Sequence, residues 1–164
     1  MNPVLDGLAK SLLAHHPGAS LAELERAYDI AADAHEGQLR KSGQPYITHP
    51  LAVSEILADI GLDLETIIAA LLHDTVEDTK YSLAALKNDF GKDVANLVDG
   101  VTKLDKLNYG PTAEAETLRK MVIAMSRDIR VLVIKLADRL HNARTWQYVE
   151  VESAQRKALS LIHI

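Results

Sequence analysis

The apolar residues of this chain recur at the spacing of α-helices along almost its whole length. The alternation of apolar and polar residues that marks a half-buried strand is nearly absent. Helical patterns cover residues 22–36, 50–60, 63–77, 82–90, 92–103, 113–126 and 129–146. The sequence therefore predicts an all-α domain, in which a bundle of helices packs around one core.

Residues typical of helix ends support this division. Asp63 and Ser82 are suited to N-cap positions, because short polar side chains accept hydrogen bonds from free backbone N–H groups. Gly61 and Gly91 follow helical stretches, where a left-handed residue commonly ends a helix. The segment 37–50, GQLRKSGQPYITHP, has two glycines, two prolines and no sustained period. That segment is predicted to be a loop.

The size and charge of the chain limit what it can be. At 164 residues it has the length of one domain. We expect residues 1–20 to form an N-terminal helix and linker, 22–146 the core and 147–164 a tail. The net charge of −5 argues against broad attraction to nucleic acid or to an anionic membrane. The N-terminus lacks an apolar signal core and the longest apolar run, 67–72, is too short to span a bilayer, so we expect a cytoplasmic protein.

The most informative segment follows that apolar run, where IIAALL leads directly into HDTVED at 73–78. His73 and Glu77 are four residues apart, as are Asp74 and Asp78, so on a helix each pair shares a face. Three carboxylates at the C-terminal end of a helix oppose its dipole, a cost that a bound cation reverses. Since the chain has no cysteine, a metal site here must use histidine and carboxylate.

Two distant residues complete a candidate metal site with the His-Asp pair at 73–74. They are His49, at the end of the predicted loop, and Asp138, within IKLADRLHN. Two imidazoles and two carboxylates favour Mn²⁺, Fe²⁺ or Zn²⁺ over Ca²⁺ or Mg²⁺, with Mn²⁺ as first choice. Glu77 and Asp78 would follow one turn beyond the ligands, placed to orient or deprotonate the attacking water. This set predicts a hydrolase.

Cationic residues near these positions predict a face that binds phosphate: Arg40, Lys41, Lys135, Arg139 and Arg144. Lys135 lies three residues before Asp138 and Asn142 four after it, so the three share one helix face. A planar guanidinium suits Arg40 to stacking on a base, and a compact ammonium suits Lys41 to pairing with phosphate. A phosphorylated ligand would then bridge the loop and the late helix.

The same residues also have ordinary structural interpretations. A His-Asp pair at a helix end is usually solvated, and Arg40 and Lys41 beside a glycine would ordinarily form a solvated loop. Other histidines and large aromatic residues are expected to be core or surface residues without a ligand role: His15, His16, His35, His141, His163, Phe90 and Trp146.

Four blocks occur in the order AHEGQLRKSGQPYITHP, AALLHDTVEDT, FGKDVANLVDGVTKL and IKLADRLHNARTW. Together they resemble the N-terminal hydrolase region of the Rel/SpoT family, the bifunctional synthetase-hydrolases of (p)ppGpp in the stringent response. The resemblance runs from about residue 27 to residue 146. It implies an HD-domain fold, Mn²⁺ as cofactor, and removal of pyrophosphate from the ribose 3′ position of ppGpp or pppGpp to give GDP or GTP.

The resemblance also implies a role for each motif position. The metal ligands would be His49, His73, Asp74 and Asp138. The catalytic acid pair would be Glu77 and Asp78, and the nucleotide contacts would be Arg40, Lys41, Ser42 and Asn142. The HDxxED pattern, which is degenerate in family members without hydrolase activity, is intact here.

The resemblance ends after about Lys157, where long family members continue into further helices and a synthetase domain. We therefore expect a C-terminally truncated piece of a bifunctional enzyme, whose synthetase and regulatory domains are missing here. Two alternatives stay open. The chain could be an HD phosphohydrolase that acts on another nucleotide, or an inactive fragment that binds alarmone without turnover.

Overall fold

The structure, a computed structural model, describes residues 2–105, 119, 122–123 and 127–145. A 3-10 turn, Pro3–Leu5, opens the fold. The α-helices are α1 Asp6–His15, α2 Leu21–Ala34, α3 Thr48–Asp59, α4 Leu64–Leu72, α5 Thr75–Asp78, α6 Leu83–Asp105 and α7 Ile129–Arg144. Within the described ranges the only β-type pairing is an isolated bridge between Leu39 and Pro45. The predicted all-α class is confirmed.

Helix α4 lies at the centre of the fold. Every residue from 66 to 72 is buried, and the helix packs against α2, α3, α6 and α7. A helix that is apolar on all sides has to be surrounded, which explains why IIAALL occupies this place. Among the described residues no helix is both long and apolar enough to cross a membrane.

Helix α1 is part of the same core. Leu8 and Leu12 have no exposed surface, and neither has Leu5 just before the helix. The helix packs against α3. The helix expected within residues 1–20 therefore packs into the core predicted for 22–146.

The predicted caps are found at the starts of two helices. The Asp63 carboxylate accepts a hydrogen bond from the backbone N–H of Thr66 at 2.9 Å, and the Ser82 hydroxyl accepts one from Ala85 at 3.1 Å. Gly91 has φ 87° and ψ 177° and bends α6 between the two stretches predicted at 82–90 and 92–103. This conformation is available almost only to glycine.

One predicted helix is interrupted. The stretch 63–77 was expected to be continuous, but α4 ends at Leu72 and the short α5 begins at Thr75. The His73 ring contributes to this end, because its Nδ1 bonds the Ala70 carbonyl at 2.7 Å, within the last turn of the helix. The predicted helix 113–126, the predicted loop 107–112, Trp146 and the tail 147–164 lie wholly or largely outside the described residues.

Helix α7 is fixed by contacts near its start. A Cβ placed on Gly100 of α6 would lie 2.7 Å from Cγ2 of Val131, so the two helices approach more closely there than a side chain at residue 100 would allow. Nη1 of Arg130 contacts Asp63 Oδ2 at 2.9 Å, which ties the start of α7 to the start of α4. Both contacts set the position of Asp138, further along α7.

Candidate metal centre and nucleotide pocket

Three of the four predicted metal ligands converge on one point. His49 lies in the first turn of α3, and His73 and Asp74 lie between α4 and α5. Each offers one ligand atom, and these atoms lie within 4.8 Å of one another. Both imidazoles are 3% exposed, while the Asp74 side chain keeps 21% of its surface accessible. The opening at Asp74 leaves a way in for a ligand.

Asp138 of α7 lies beside this group and reaches it through His49. Its Oδ1 is 3.2 Å from Nε2 of His49 and accepts a hydrogen bond from Asn142 Nδ2 at 2.6 Å. Its Oδ2 accepts one from Lys135 Nζ at 2.7 Å. The predicted shared face of these three α7 residues is therefore present. Lys135 was expected to bind phosphate, but it is buried and pairs with Asp138 instead.

The site keeps its carboxylates charged. Burial alone would raise the pKa of Asp74, but the neighbouring His73 and His49 outweigh it and lower that pKa. Burial would also raise the pKa of Asp138, yet the hydrogen bond with His49 and the charge of Lys135 hold it well below its usual range. Two ionised acids beside two imidazoles make a place that a divalent cation fits.

The two histidines respond differently to this environment. Burial lowers the pKa of His49, against the influence of Asp138. For His73 burial acts in the same direction, but the carboxylates of Asp74 and Asp138 outweigh it and raise the pKa. His73 is thus the imidazole more strongly biased toward holding a positive charge.

The ring of His73 has the orientation of a metal ligand. Its Nδ1 is 2.7 Å from the Ala70 carbonyl oxygen, which can only accept, so Nδ1 carries the proton. The other ring nitrogen, Nε2, faces Asp74 Oδ1 at 3.1 Å and is the atom that a metal ion would bind. Histidines that bind metals ordinarily donate their second ring N–H to a carbonyl or carboxylate in this way. The donor set and the ring orientation both fit a metal ion.

Tyr46 also belongs to the site, although the sequence analysis missed it. Its hydroxyl donates to Asp74 Oδ2 at 2.7 Å, and its ring stacks on His35 with centroids 4.6 Å apart. Burial, together with the charge of Asp74, raises the pKa of Tyr46 far above its usual value, so it stays a donor. The only sequence signal was its place three residues before His49.

His141 was expected to have no ligand role, and it lies next to His49. The two Nδ1 atoms are 2.7 Å apart, and the ring centroids are 4.9 Å apart. Burial, followed by the charges of His49 and Arg40, lowers the pKa of His141 to about 4. At neutral pH the ring is therefore uncharged and has one nitrogen that can accept a hydrogen bond.

Arg40 connects the predicted loop to α7. Its Nη2 donates to Asn142 Oδ1 at 3.1 Å, while its Nη1 is buried and lacks a hydrogen-bond partner within the described part of the chain. A buried donor without an acceptor is costly to keep. Arg40 therefore presents one guanidinium N–H group that a polar ligand can take up, within two side-chain contacts of Asp138.

The remaining predicted site residues lie on the short α5 and in the loop between α2 and α3. Glu77 and Asp78 are exposed on α5, and the backbone bond from Asp78 N to Asp74 O at 2.9 Å preserves their predicted one-turn offset. Lys41 is exposed and Ser42 half-buried. They follow Arg40 in a turn closed by the 2.9 Å bond from Gly43 N to Arg40 O.

Comparisons with known proteins agree with this fold. The family model described as HD domain matches residues 27–164, so the similarity continues past Lys157, where it was expected to end. The GTP pyrophosphokinase of Streptomyces coelicolor is 56% identical over 166 residues, which cover 99% of this chain and 20% of that protein. The bifunctional (p)ppGpp synthase/hydrolase SpoT of Escherichia coli K12 is 48% identical over 163 residues, which cover 98% and 23%.

A solved structure described as a metazoan ortholog of SpoT that hydrolyses ppGpp is 31% identical, with a TM-score of 0.72. The alignment covers 88% of this chain and 83% of that one. The chain spans about a fifth of the length of the curated relatives it matches. Since the family model and the solved relative each extend over most of the sequence, the chain belongs to the HD-domain family, within its Rel/SpoT group.

Proposed function

We propose that this chain hydrolyses ppGpp or pppGpp at the ribose 3′ position, giving GDP or GTP and pyrophosphate, as the hydrolase domain of a larger Rel/SpoT-type protein. The observation that carries the proposal is the convergence of His49, His73 and Asp74, with Asp138 beside them. Relatives whose names state (p)ppGpp hydrolysis support this choice of substrate.

These four side chains would hold a divalent ion, with Mn²⁺ proposed because the donor set mixes nitrogen and oxygen. When bound, the ion supplies Lewis acidity at the phosphoryl group. The chain's own contribution is to present the ligands in the right state. Asp74 and Asp138 stay ionised, and His73 can offer Nε2 to the ion because the Ala70 carbonyl holds a proton on Nδ1.

Glu77 and Asp78 would handle the protons of the reaction. The oxygen of water forms a bond to the phosphorus next to the 3′ oxygen, and the bond from that phosphorus to the 3′ oxygen breaks. One carboxylate takes a proton from the water, and a proton is returned to the 3′ oxygen as it leaves. Both acids lie on the exposed α5, where they can exchange protons with solvent.

The nucleotide would bind between the loop and α7. The buried Nη1 of Arg40 needs an acceptor, and the planar guanidinium is suited to a base. Asn142 holds this guanidinium from α7, where its own Nδ2 contacts Asp138. Lys41 and Ser42 would contact the phosphates. This arrangement couples the position of the base to the position of the metal ligands.

The test measures pyrophosphate release from ppGpp by the purified chain in Mn²⁺ and in EDTA. We expect turnover in Mn²⁺ alone, and a loss of at least about 100-fold in Asp74→Asn, because a metal ligand is removed. Asp59→Asn is the matched control. It removes an exposed carboxylate at the far end of α3, about 15 Å along that helix from His49.

Three outcomes would contradict the proposal. Turnover that survives EDTA would remove the metal from the mechanism. Faster hydrolysis of dGTP or GMP than of ppGpp would indicate an HD phosphohydrolase for another nucleotide. Tight calorimetric binding of ppGpp without product after long incubation would indicate a module that binds the alarmone without turnover.

A further inference from the structure

We infer that His141 is a positioning residue, which accepts the Nδ1 proton of His49 when Nε2 of His49 binds the metal ion. The inference deepens the proposed function and depends on it in one respect, that His49 is a ligand. It gives a role to a histidine that the motif positions leave without one.

The geometry places both ring nitrogens of His49 against the same helix. On one side, Nδ1 is 2.7 Å from Nδ1 of His141. On the other side, Nε2 faces Oδ1 of Asp138 at 3.2 Å. His141 and Asp138 are both residues of α7, three positions apart. With 3% exposure, the His49 ring has little room to turn away from either contact.

The tautomer of the metal-bound form follows from the same contacts. Without an ion, Nε2 of His49 faces the Asp138 carboxylate at 3.2 Å, which favours a proton on Nε2. An ion that binds Nε2 takes the lone pair of that nitrogen, so the single proton of a neutral His49 has to be on Nδ1. The described acceptor for that proton is Nδ1 of His141, 2.7 Å away.

His49 differs from His73 in the partner of its Nδ1 atom. His73 is held in the corresponding tautomer by the backbone carbonyl of Ala70, one of the partners that metal-binding histidines commonly use. For His49 the described contact on that side is a second imidazole. A carbonyl can only accept, whereas an imidazole can either donate or accept. The identity of residue 141 therefore decides whether the Nδ1 proton of His49 has an acceptor.

The experiment compares two substitutions at this position. His141→Phe keeps a flat ring but has no acceptor, whereas His141→Asn offers an amide oxygen close to the position of Nδ1. Calorimetry with Mn²⁺ should show weaker binding by about 10- to 100-fold in His141→Phe, the usual effect of losing such a partner. His141→Asn should restore most of the affinity.

The matched control is His16→Phe. The His16 ring is half-buried and bonds the Gly61 carbonyl at 3.0 Å, outside the site. His16→Phe should leave Mn²⁺ affinity unchanged, although this substitution also removes a hydrogen bond between a histidine ring and a neighbouring segment. A loss of affinity in this control equal to that in His141→Phe would overturn the inference, because the effect would then be general to the fold.

A second measurement determines the tautomers directly. Long-range ¹⁵N–¹H NMR of the protein with Zn²⁺, a diamagnetic ion that suits the same donor set, reports which nitrogens of His49 and His141 carry protons. We expect the proton of His49 on Nδ1 and the proton of His141 on Nε2, because Nδ1 of His141 then accepts. A proton on Nδ1 of His141 in the Zn²⁺ form, or full Mn²⁺ affinity in His141→Phe, would overturn the inference alone. Failure of the unsubstituted chain to bind either ion would overturn the metal site of the proposed function as well.

Discussion

Asp74 shows how a single carboxylate can remain charged in a largely enclosed site. It has two imidazoles as neighbours, and the hydroxyl of Tyr46 donates to its Oδ2 at 2.7 Å. This hydrogen bond also restrains the rotamer of the carboxylate. We therefore regard Tyr46 as a residue that orients a metal ligand without contacting the ion.

Tyr46→Phe should weaken Mn²⁺ binding by about 10-fold, because partners of metal-binding carboxylates have effects of that size. The substitution keeps the ring that stacks on His35. Titration calorimetry gives the affinity. Tyr81→Phe is the control, since it removes a hydroxyl that donates to an exposed carboxylate, Asp89, at 2.5 Å. Equal affinities in the two variants would contradict the orienting role.

Arg40→Lys should raise KM for ppGpp by about 10-fold with little change in kcat. The substitution keeps the charge but loses the planar fork that contacts Asn142 and leaves Nη1 for the nucleotide. An interaction made equally in the ground state and the transition state changes KM alone. Steady-state kinetics separates the two constants. Arg26→Lys, which alters a guanidinium over the Phe90 ring, should change neither.

Sequence reasoning located the residues whose chemistry is recognisable from local spacing. His73 and Asp74 are adjacent and follow an apolar helix, and Asp138, Lys135 and Asn142 share a helical face. Tyr46 and His141 could not be found this way. Their partners lie 28 and 92 residues away in the sequence, and both contacts arise only when separate elements meet.

At the scale of the secondary-structure element, α4 connects the core to the site. Its N-terminus is capped by Asp63 and its C-terminus delivers His73. The caps and glycine ends were predictable, because each depends on one residue type with a known backbone preference. The interruption of the helix after Leu72 was not predictable. It involves a hydrogen bond from the His73 ring, and the sequence pattern does not specify the orientation of that ring.

The charge of Asp63 should stabilise the fold at neutral pH, and this contribution should be lost in acid. Partial burial alone would raise its pKa, but the hydrogen bonds from Thr66 and the charge of Arg130 lower it. A carboxyl with a lowered folded pKa contributes stability above its unfolded pKa of about 4, and that contribution is lost as the pH falls through the folded pKa. Asp63→Asn, which keeps a capping side chain, isolates the charge.

Urea unfolding at several pH values tests this expectation. Asp63→Asn should be less stable than the unsubstituted chain by about 0.2–1 kcal/mol at pH 7, since the pair with Arg130 is partly exposed. The two proteins should converge in acid. Asp63→Ala should lose about 1 kcal/mol more at pH 7, because it also removes the cap. A difference that grows as the pH falls would contradict the assignment.

Gly91→Ala should destabilise the chain by about 1–3 kcal/mol, the cost of a non-glycine residue in this backbone region. A Cβ at Gly91 meets nothing within 4 Å, so the penalty is conformational and does not come from a steric clash. Gly18→Ala is the control, because it is equally open and has no positive φ. Thermal unfolding of both variants should show a clear loss for Gly91→Ala alone.

For the whole molecule, the site is where three parts of the fold meet. The start of α3, the end of α4 and the middle of α7 each bring part of the candidate ligand set. The composition and the helical period predicted the all-α class, but the order of packing around α4 depends on contacts between distant elements. An ion held at this meeting point would bind the folded state and not the unfolded chain.

Mn²⁺ should therefore raise thermal stability. At a concentration about 100 times Kd, one bound ion adds about 2.7 kcal/mol, which corresponds to roughly 5–10 °C in Tm for a chain of this size. Differential scanning fluorimetry with Mn²⁺, Mg²⁺ and EDTA measures the shift. Mg²⁺ should have a smaller effect, and Asp74→Asn should show none with either ion. An unchanged Tm in saturating Mn²⁺ would argue against the metal site.

The contact between Gly100 and Val131 restricts the mutational paths open to this sequence. A methyl group at residue 100 has no room while valine occupies residue 131, so the two positions have to change together or in a fixed order. If residue 100 enlarges first, α7 is displaced, and Asp138 and His141 move with it. Alanine or glycine at residue 131 lacks the two methyl groups that a Cβ at residue 100 would meet, so a methyl group at residue 100 becomes possible only after that change.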